Sequence, residues 1–398
     1  MSEFPWARPS PLSLPGQYAR LLAAAPVSRA RLDSGQELWV VAGHALFRKA
    51  LVAPAVSANH AHPAYPTMTP VRRRRASGGP EPKRGYSGMD PPEHTTHRRL
   101  TGALFSESAA EGVRPVVRRI VDERLDVLAR GPNPADLVTR FADHVPALVI
   151  TEVLGIRQQR SRLARLSRVL VDRHADSAEV ASASVEFRVR IAEELRAVES
   201  SDADDTLLRR LVSRYQRAHA YDRDQVVELV GSLVIAGHET TANTIALGVL
   251  ALLLHPDQLA ALRTDLALVP SAVEELLRYL SIADLVTARV STGPVTLGDV
   301  MLPAGQGVVV SGAAANHDPR VFERPEQLDI HRDARRHVAF GHGVHRCIGQ
   351  HLARVELTVV FEQLFARFPK LRLAEADVPA RSRHRAALHG LTELVVTW

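Results

Sequence analysis

From residue 93 onward, apolar positions recur every three to four residues over most of the chain, the spacing that lines one face of a helix. These runs predict helices over 95–105, 113–128, 136–154, 205–215 and 348–368, with a cationic helix pair between 157 and 199. Ser271, followed three residues later by Glu274, reads as a capping box opening a short helix that ends at Tyr279. Between 285 and 310 the pattern changes to β-branched residues broken by Gly and Pro, which predicts short strands and hairpins; the terminal LTELVVTW predicts one more. The fold class is therefore mostly α with a small β part. The one long stretch without either period is 53–92, rich in Pro, His, Arg and Gly, a length that points to a lid or a substrate-contact segment. No repeat or shift of composition divides the chain, so 1–398 reads as one domain.

The strongest pattern is DQVVELVGSLVIAGHETTANTIALGVLALLL, residues 224–254, apolar nearly all round and stopped by His255 and Pro256. As one helix it would run roughly 45 Å. Glu239 at its centre argues against a membrane span and for the buried core helix of a large fold. HETTA begins like a zinc-protease helix, but the second His would fall on Ala242. Two readings of the polar centre stay open. Ala236 and Gly237 can thin the helix wall beside a flat ligand while Glu239 and Thr240 pass protons into a buried site. Alternatively, Thr240 and Thr241 bond back to helix carbonyls and Glu239 is a paired core acid.

Composition narrows the setting. With 398 residues, 45% of them hydrophobic and 24% charged, the chain is that of a globular protein with a large core. A single cysteine excludes an internal disulfide framework and fits a reducing compartment. MSEFPWARPSPLSLPGQ has prolines and charges where a signal peptide needs an apolar run, so a cytoplasmic location is expected. The formal charge of +6 raises nucleic acid as a partner, but most of the excess is dispersed along amphipathic segments, and only VRRRRASGGPEPKRG, 71–85, is a compact basic run. No nucleic-acid or membrane partner is expected; a basic surface can equally dock an acidic protein.

The single cysteine lies in FGHGVHRCIGQHLAR, where His342, His345 and His351 surround Cys347. Zinc would need four ligands from one short stretch, against the paired spacing of known sites. A catalytic thiol could take His345 as base, yet no nucleophile motif surrounds it. A haem accounts for more features. Cys347 sits at a predicted helix start, where the dipole and free N–H groups favour thiolate. Gly341, Gly343 and Gly349 allow a tight loop, and Phe340 offers an aromatic wall. A thiolate so placed suits iron and pushes electron density toward O–O cleavage.

At these residues the chain resembles the cytochrome P-450 family of haem-thiolate monooxygenases. The haem signature Phe-x-x-Gly-x-x-x-Cys-x-Gly is matched by Phe340, Gly343, Cys347 and Gly349. The oxygen-activating motif Ala-Gly-x-acid-Thr is matched by Ala236, Gly237, Glu239 and Thr240, and the Glu-x-x-Arg pair by Glu275 and Arg278. MDPPEHTTHRRL resembles the segment whose His and Arg reach a haem propionate, here His94 and Arg98; Arg289 and His345 stand at two further propionate positions. Where the family often has Pro-x-Arg-Phe this chain has Gln327 and Leu328, which leaves the third member of the Glu275–Arg278 network unassigned.

The resemblance implies a triangular helical bundle around a buried haem b, with Cys347 as metal ligand and Glu239 and Thr240 delivering protons. It implies oxygen insertion into a C–H or C=C bond of a small secondary metabolite by a monomer without a fused reductase. Electrons would come from ferredoxin and ferredoxin reductase docked on a basic face near Arg98, Arg346 and Arg354. The pocket would be lined from 57–88, 161–185, 234–241, 285–287 and 387–389, whose scarcity of aromatics suggests a bulky, partly polar aliphatic substrate. On the same fold, oxidative coupling or nitric oxide reduction is the alternative, with the arginines of 72–75 holding an anionic group; family members that reduce nitric oxide lack the acid supplied here by Glu239. A zinc or nucleic-acid binder is the alternative from another class.

Overall fold

The computed structural model describes residues 3–66, 68, 83–157, 160–172, 175–200, 206–374 and 388–398. Its axis is the helix Arg223–Leu254, capped where the Asp222 side chain accepts from the Gln225 N–H at 3.1 Å and ended at His255 before Pro256. Because this helix is apolar on every side, it can be stable only when surrounded. His144–Leu154, Arg160–Val171, Ser177–Glu199, Val269–Leu280 and Gln350–Arg367 all pack on it. Two glycines set how close the neighbours come. A Cβ on Gly248 would lie 2.7 Å from the Phe361 ring, and one on Gly237 would lie 2.8 Å from Ile150.

The β part lies beside this helical body. Its main sheet has six strands in the order Glu3–Phe4, Val27–Leu32, Glu37–Val41, Gly307–Val310, Ala288–Ser291 and Val56–Ser57. Val308 pairs with Trp39 in parallel and with Arg289 antiparallel, which fixes Arg289 in the middle of the sheet. The terminal strand Val395–Thr397 joins Arg372–Leu373 and Ala135–Asp136 in a second sheet, and Val295–Leu297 with Val300–Leu302 forms a hairpin.

The predicted helices are found with ends shifted by a few residues, except over 136–154, where Asp136 lies in a strand, Val138–Ala142 is a single π turn and the α-helix begins only at His144. Strands before residue 42 are an addition to the sequence reading. The capping box is a correction: the helix begins at Val269 with Pro270 in its first turn, and Ser271 Oγ lies 3.5 Å from the Arg332 carbonyl. Pro270 presets the helical φ and lacks an N–H to satisfy, so the start needs no cap from Ser271. Within the unpatterned stretch 53–92 the strand Val56–Ser57 and a tight turn at Tyr86–Gly88 are described; the arginine run 72–75 and Ala387 lie outside the described residues. Among the described residues no single helix is long and apolar enough to cross a membrane.

Glu275 and Arg278, both fully buried, form a bidentate pair at 2.7 and 2.8 Å. Arg278 also donates to the carbonyls of Asn316, Pro325 and Gln327, tying the helix to the segment that leads into the cysteine loop. The unassigned third member is Arg332, whose Nε reaches Glu275 Oε1 at 3.2 Å.

Candidate active site

The cysteine loop is held from inside. The Cys347 N–H donates to the Phe340 carbonyl at 2.8 Å, and Gly341 and Gly343 take φ of +74° and +71°, which residues with a Cβ adopt at a cost. The following helix starts at Gln350 after Gly349, so the Gly349 N–H points back at the Cys347 sulfur. Nothing lies within 4 Å of where a Gly349 Cβ would stand. Cys347 is deeply surrounded yet keeps exposed surface, so its sulfur borders an opening rather than packed side chains.

The expectation that the helix start alone favours thiolate needs correcting. Burial pushes the Cys347 thiol up, outweighing the Gly349 N–H and the charges of Arg98, Arg354 and Arg346. A coordinated metal removes that proton outright, so the loop suits a metal-bound sulfur better than a free nucleophile. The zinc reading has no geometry behind it: among the described residues no three His, Cys, Asp or Glu side chains converge as a metal site.

Next to the loop, four cationic or hydrogen-bonding side chains come together from distant segments. The rings of His94 and His345 lie 4.3 Å apart. Both nitrogens of the buried His94 lack a hydrogen-bond partner. Burial, followed by the positive charge of Arg289, lowers the His345 pKa to about 3; burial and then Arg98 lower that of His94. Arg98 donates to the Arg346 carbonyl at 2.7 Å and Arg289 to the Ala288 carbonyl at 2.7 Å. The nearby carboxylate, Asp90, is already engaged by the Ser57 hydroxyl and the Ala58 N–H. Mutually repelling donors with unsatisfied buried nitrogens are a site for anionic oxygens. Two haem carboxylates beside one sulfur ligand fit this donor set.

On the central helix, Ala236 is exposed and Gly237 and Thr240 partly so, although the positions from 241 to 252 are buried. An exposed face in mid-helix means the helix lines an opening. The Thr240 hydroxyl donates to the Ala236 carbonyl at 2.7 Å, as the plainer reading expects, while its oxygen stays free to accept a further bond. The missing Cβ of Gly237 also admits Ile150 of the neighbouring helix. Glu239 is a paired core acid, 2% exposed, with Oε1 3.5 Å from His238 Nδ1 and 3.8 Å from Arg168 Nε. Arg168 also binds Asp143 at 2.7 Å, and His238 Nδ1 is 2.7 Å from Ser167 Oγ.

Sequence reasoning missed Arg168, His238 and Asp143, because nothing local marks a pairing across elements so far apart in the chain. The Arg354 side chain is held by Glu274 at 2.6 and 3.0 Å and lies over the Phe340 ring at 4.5 Å, so it braces the cysteine loop.

Comparison with known proteins bears on this arrangement directly. Residues 157–389 match the family described as cytochrome P450. The chain is 40% identical to cytochrome P450 105A3 of Streptomyces carbophilus, covering 99% of this chain and 95% of the relative. It is 38% identical to pentalenic acid synthase of Streptomyces avermitilis, covering 99% and 97%. The crystal structure of mycinamicin VIII C21 methyl hydroxylase from Micromonospora griseorubida, bound to mycinamicin VIII, superposes with a TM-score of 0.91 at 34% identity over the whole of both chains. This chain therefore belongs to the cytochrome P450 family, as a monooxygenase whose cofactor is thiolate-ligated haem b.

Proposed function

We propose that this monooxygenase inserts one atom of dioxygen into a C–H or C=C bond of a bulky, partly polar aliphatic secondary metabolite, with electrons from a separate ferredoxin and ferredoxin reductase. The observation that carries the reading is the single cysteine bordering an opening beside His94, Arg98, Arg289 and His345. Cys347 would be the axial ligand, and those four side chains would bind the two propionates. Phe340 and Gly341 shape the loop, and Gly349 leaves the approach to the sulfur clear. Haem, when bound, supplies the reductive activation of dioxygen.

The chain's own residues would control protons and water. Thr240 keeps its hydroxyl proton on the Ala236 carbonyl and offers its oxygen to the opening, so it can hold a donor at a defined point. Glu239, one residue back and flanked by His238 and Arg168, can relay protons inward from the partly exposed Arg168 side. Ala236, exposed in mid-helix, and the partly exposed Thr240 would give the pocket an aliphatic wall with one hydroxyl. Relatives named for making pentalenic acid and for hydroxylating mycinamicin VIII support a secondary-metabolite substrate.

The test is turnover with a ferredoxin, its reductase and isotopically labelled dioxygen against a library of macrolides and terpenoids. A product carrying one labelled oxygen atom is expected. A coupled dimer without added oxygen would overturn the reading.

A further inference from the structure

Residues 5–15 form neither helix nor strand, yet they are tied down along their length. Before them Glu3–Phe4 pairs with Val27–Leu32, and after them the helix Gly16–Ala24 begins. Between these anchors Trp6 packs edge-on against Phe4 at 5.0 Å and against Tyr18 at 5.1 Å, and the Tyr18 hydroxyl donates to the Asp284 carboxylate. Arg8 Nη2 donates to the Ser281 carbonyl at 3.0 Å, with Asp284 as its main counter-charge. Three residues on, the Pro11 carbonyl accepts from His389 Nε2 at 2.6 Å. This N-terminal strap therefore grips two segments that are far apart in the chain.

The same two segments hold each other and adjoin the haem site. The His389 N–H donates to the Ile282 carbonyl at 2.8 Å. Gly390 is seated against the central helix one turn past Thr240, where a Cβ would collide with the Asn243 side chain. In the other direction 282–289 runs from His389 to Arg289, whose charge acts on both His94 and His345. Together they span from the Thr240 side of the site to its cationic cluster.

This wall is strained where it leaves the helix Val269–Leu280. Ser281 takes φ of +41°, a left-handed conformation that is costly for a residue with a Cβ and persists only when its surroundings impose it. Three bonds do so: Asn316 Nδ2 donates to Ser281 Oγ at 2.9 Å, Ser281 Oγ donates to the Arg278 carbonyl at 2.7 Å, and Arg8 donates to the Ser281 carbonyl. Of these, the bond from Arg8 is the one supplied by the strap.

We infer that the strap braces the wall of the substrate pocket, and that Arg8 and His389 are positioning residues which hold 281–287 at the place a bulky substrate requires. Neither need touch the reacting atoms, since Arg8 acts through Ser281 and His389 through Ile282 and the seat of Gly390. The inference rests on the haem-thiolate reading and adds to it what sets the shape of the pocket.

Soret titration of the haem-loaded full chain with two azoles tests this. Imidazole is small enough to reach the iron without meeting the wall, whereas clotrimazole has to fill the pocket around it. A wall in place about a tenth of the time weakens the apparent affinity of a ligand that needs it by about ten-fold. Arg8→Ala and His389→Leu should each weaken clotrimazole by about that factor and leave imidazole binding as in the parent. Arg8→Lys, which can still donate to the Ser281 carbonyl, should recover most of the loss. Unchanged clotrimazole affinity in Arg8→Ala and His389→Leu, or an equal loss for both azoles, overturns the positioning role. So does an Arg8→Lys variant that binds clotrimazole no better than Arg8→Ala. A parent protein without any imidazole-induced shift would instead overturn the haem reading, and this inference with it.

Discussion

Thr240 spends its only proton on the Ala236 carbonyl, so any further bond it makes toward the opening is as an acceptor. Thr240→Ala should lower product formed per electron consumed by several-fold, the balance appearing as peroxide or water, while Thr240→Ser keeps most of the coupling. Unchanged coupling in Thr240→Ala would remove the hydroxyl from the proton path. Single residues were legible in the sequence when a local motif carried them: Cys347 with its glycines, Thr240 after its acid, Glu275 three before Arg278. Residues whose meaning depends on a distant partner were not. Arg168 reads as a charge on a solvated helix until the fold brings it to Asp143 and Glu239. Arg332 is one arginine among many until it meets Glu275.

Elements were legible where the period was long. The central helix stands out because its burial leaves almost no polar interruption over 32 residues. The strands Val27–Leu32 and Glu37–Val41 escaped because they are short, and their buried positions are broken by Arg29, Arg31 and Glu37, which associate across the two strands. What no pattern reveals is how closely two helices approach. Gly237→Ala would put a methyl 2.8 Å from Ile150 and should cost about 1–3 kcal/mol of stability, read from denaturant unfolding of the haem-loaded protein. Ile150→Ala creates a void on its own, yet combined with Gly237→Ala it should be less destabilising than the sum of the two. Strict additivity would show that the contact does not hold the helices at this spacing.

At the scale of the whole molecule, Glu274 joins the helix Val269–Leu280 to His337, before the cysteine loop, and to Arg354, after it. Burial alone would raise its carboxyl, but the bonds from His337 and Arg354 win and hold it at about 2, against an ordinary 4.5. The folded-state pKa is depressed, so the stabilisation is fully present above pH 4.5 and is lost as pH falls through about 2. Its size is on the order of 3 kcal/mol. Glu274→Gln should therefore lose stability at neutral pH, with the gap to the parent closing as pH drops below 4, in unfolding measured across that range. A gap independent of pH would assign the loss to packing instead of charge.

The central claim is that Cys347 is the sulfur ligand of the haem, and the spectrum of the dithionite-reduced carbonyl complex tests it most directly. The parent protein should give the long-wavelength Soret band of thiolate-ligated haem, and Cys347→Ser should bind haem without that band. A parent protein lacking the band, or a Cys347→Ser variant that keeps it, would contradict the assignment.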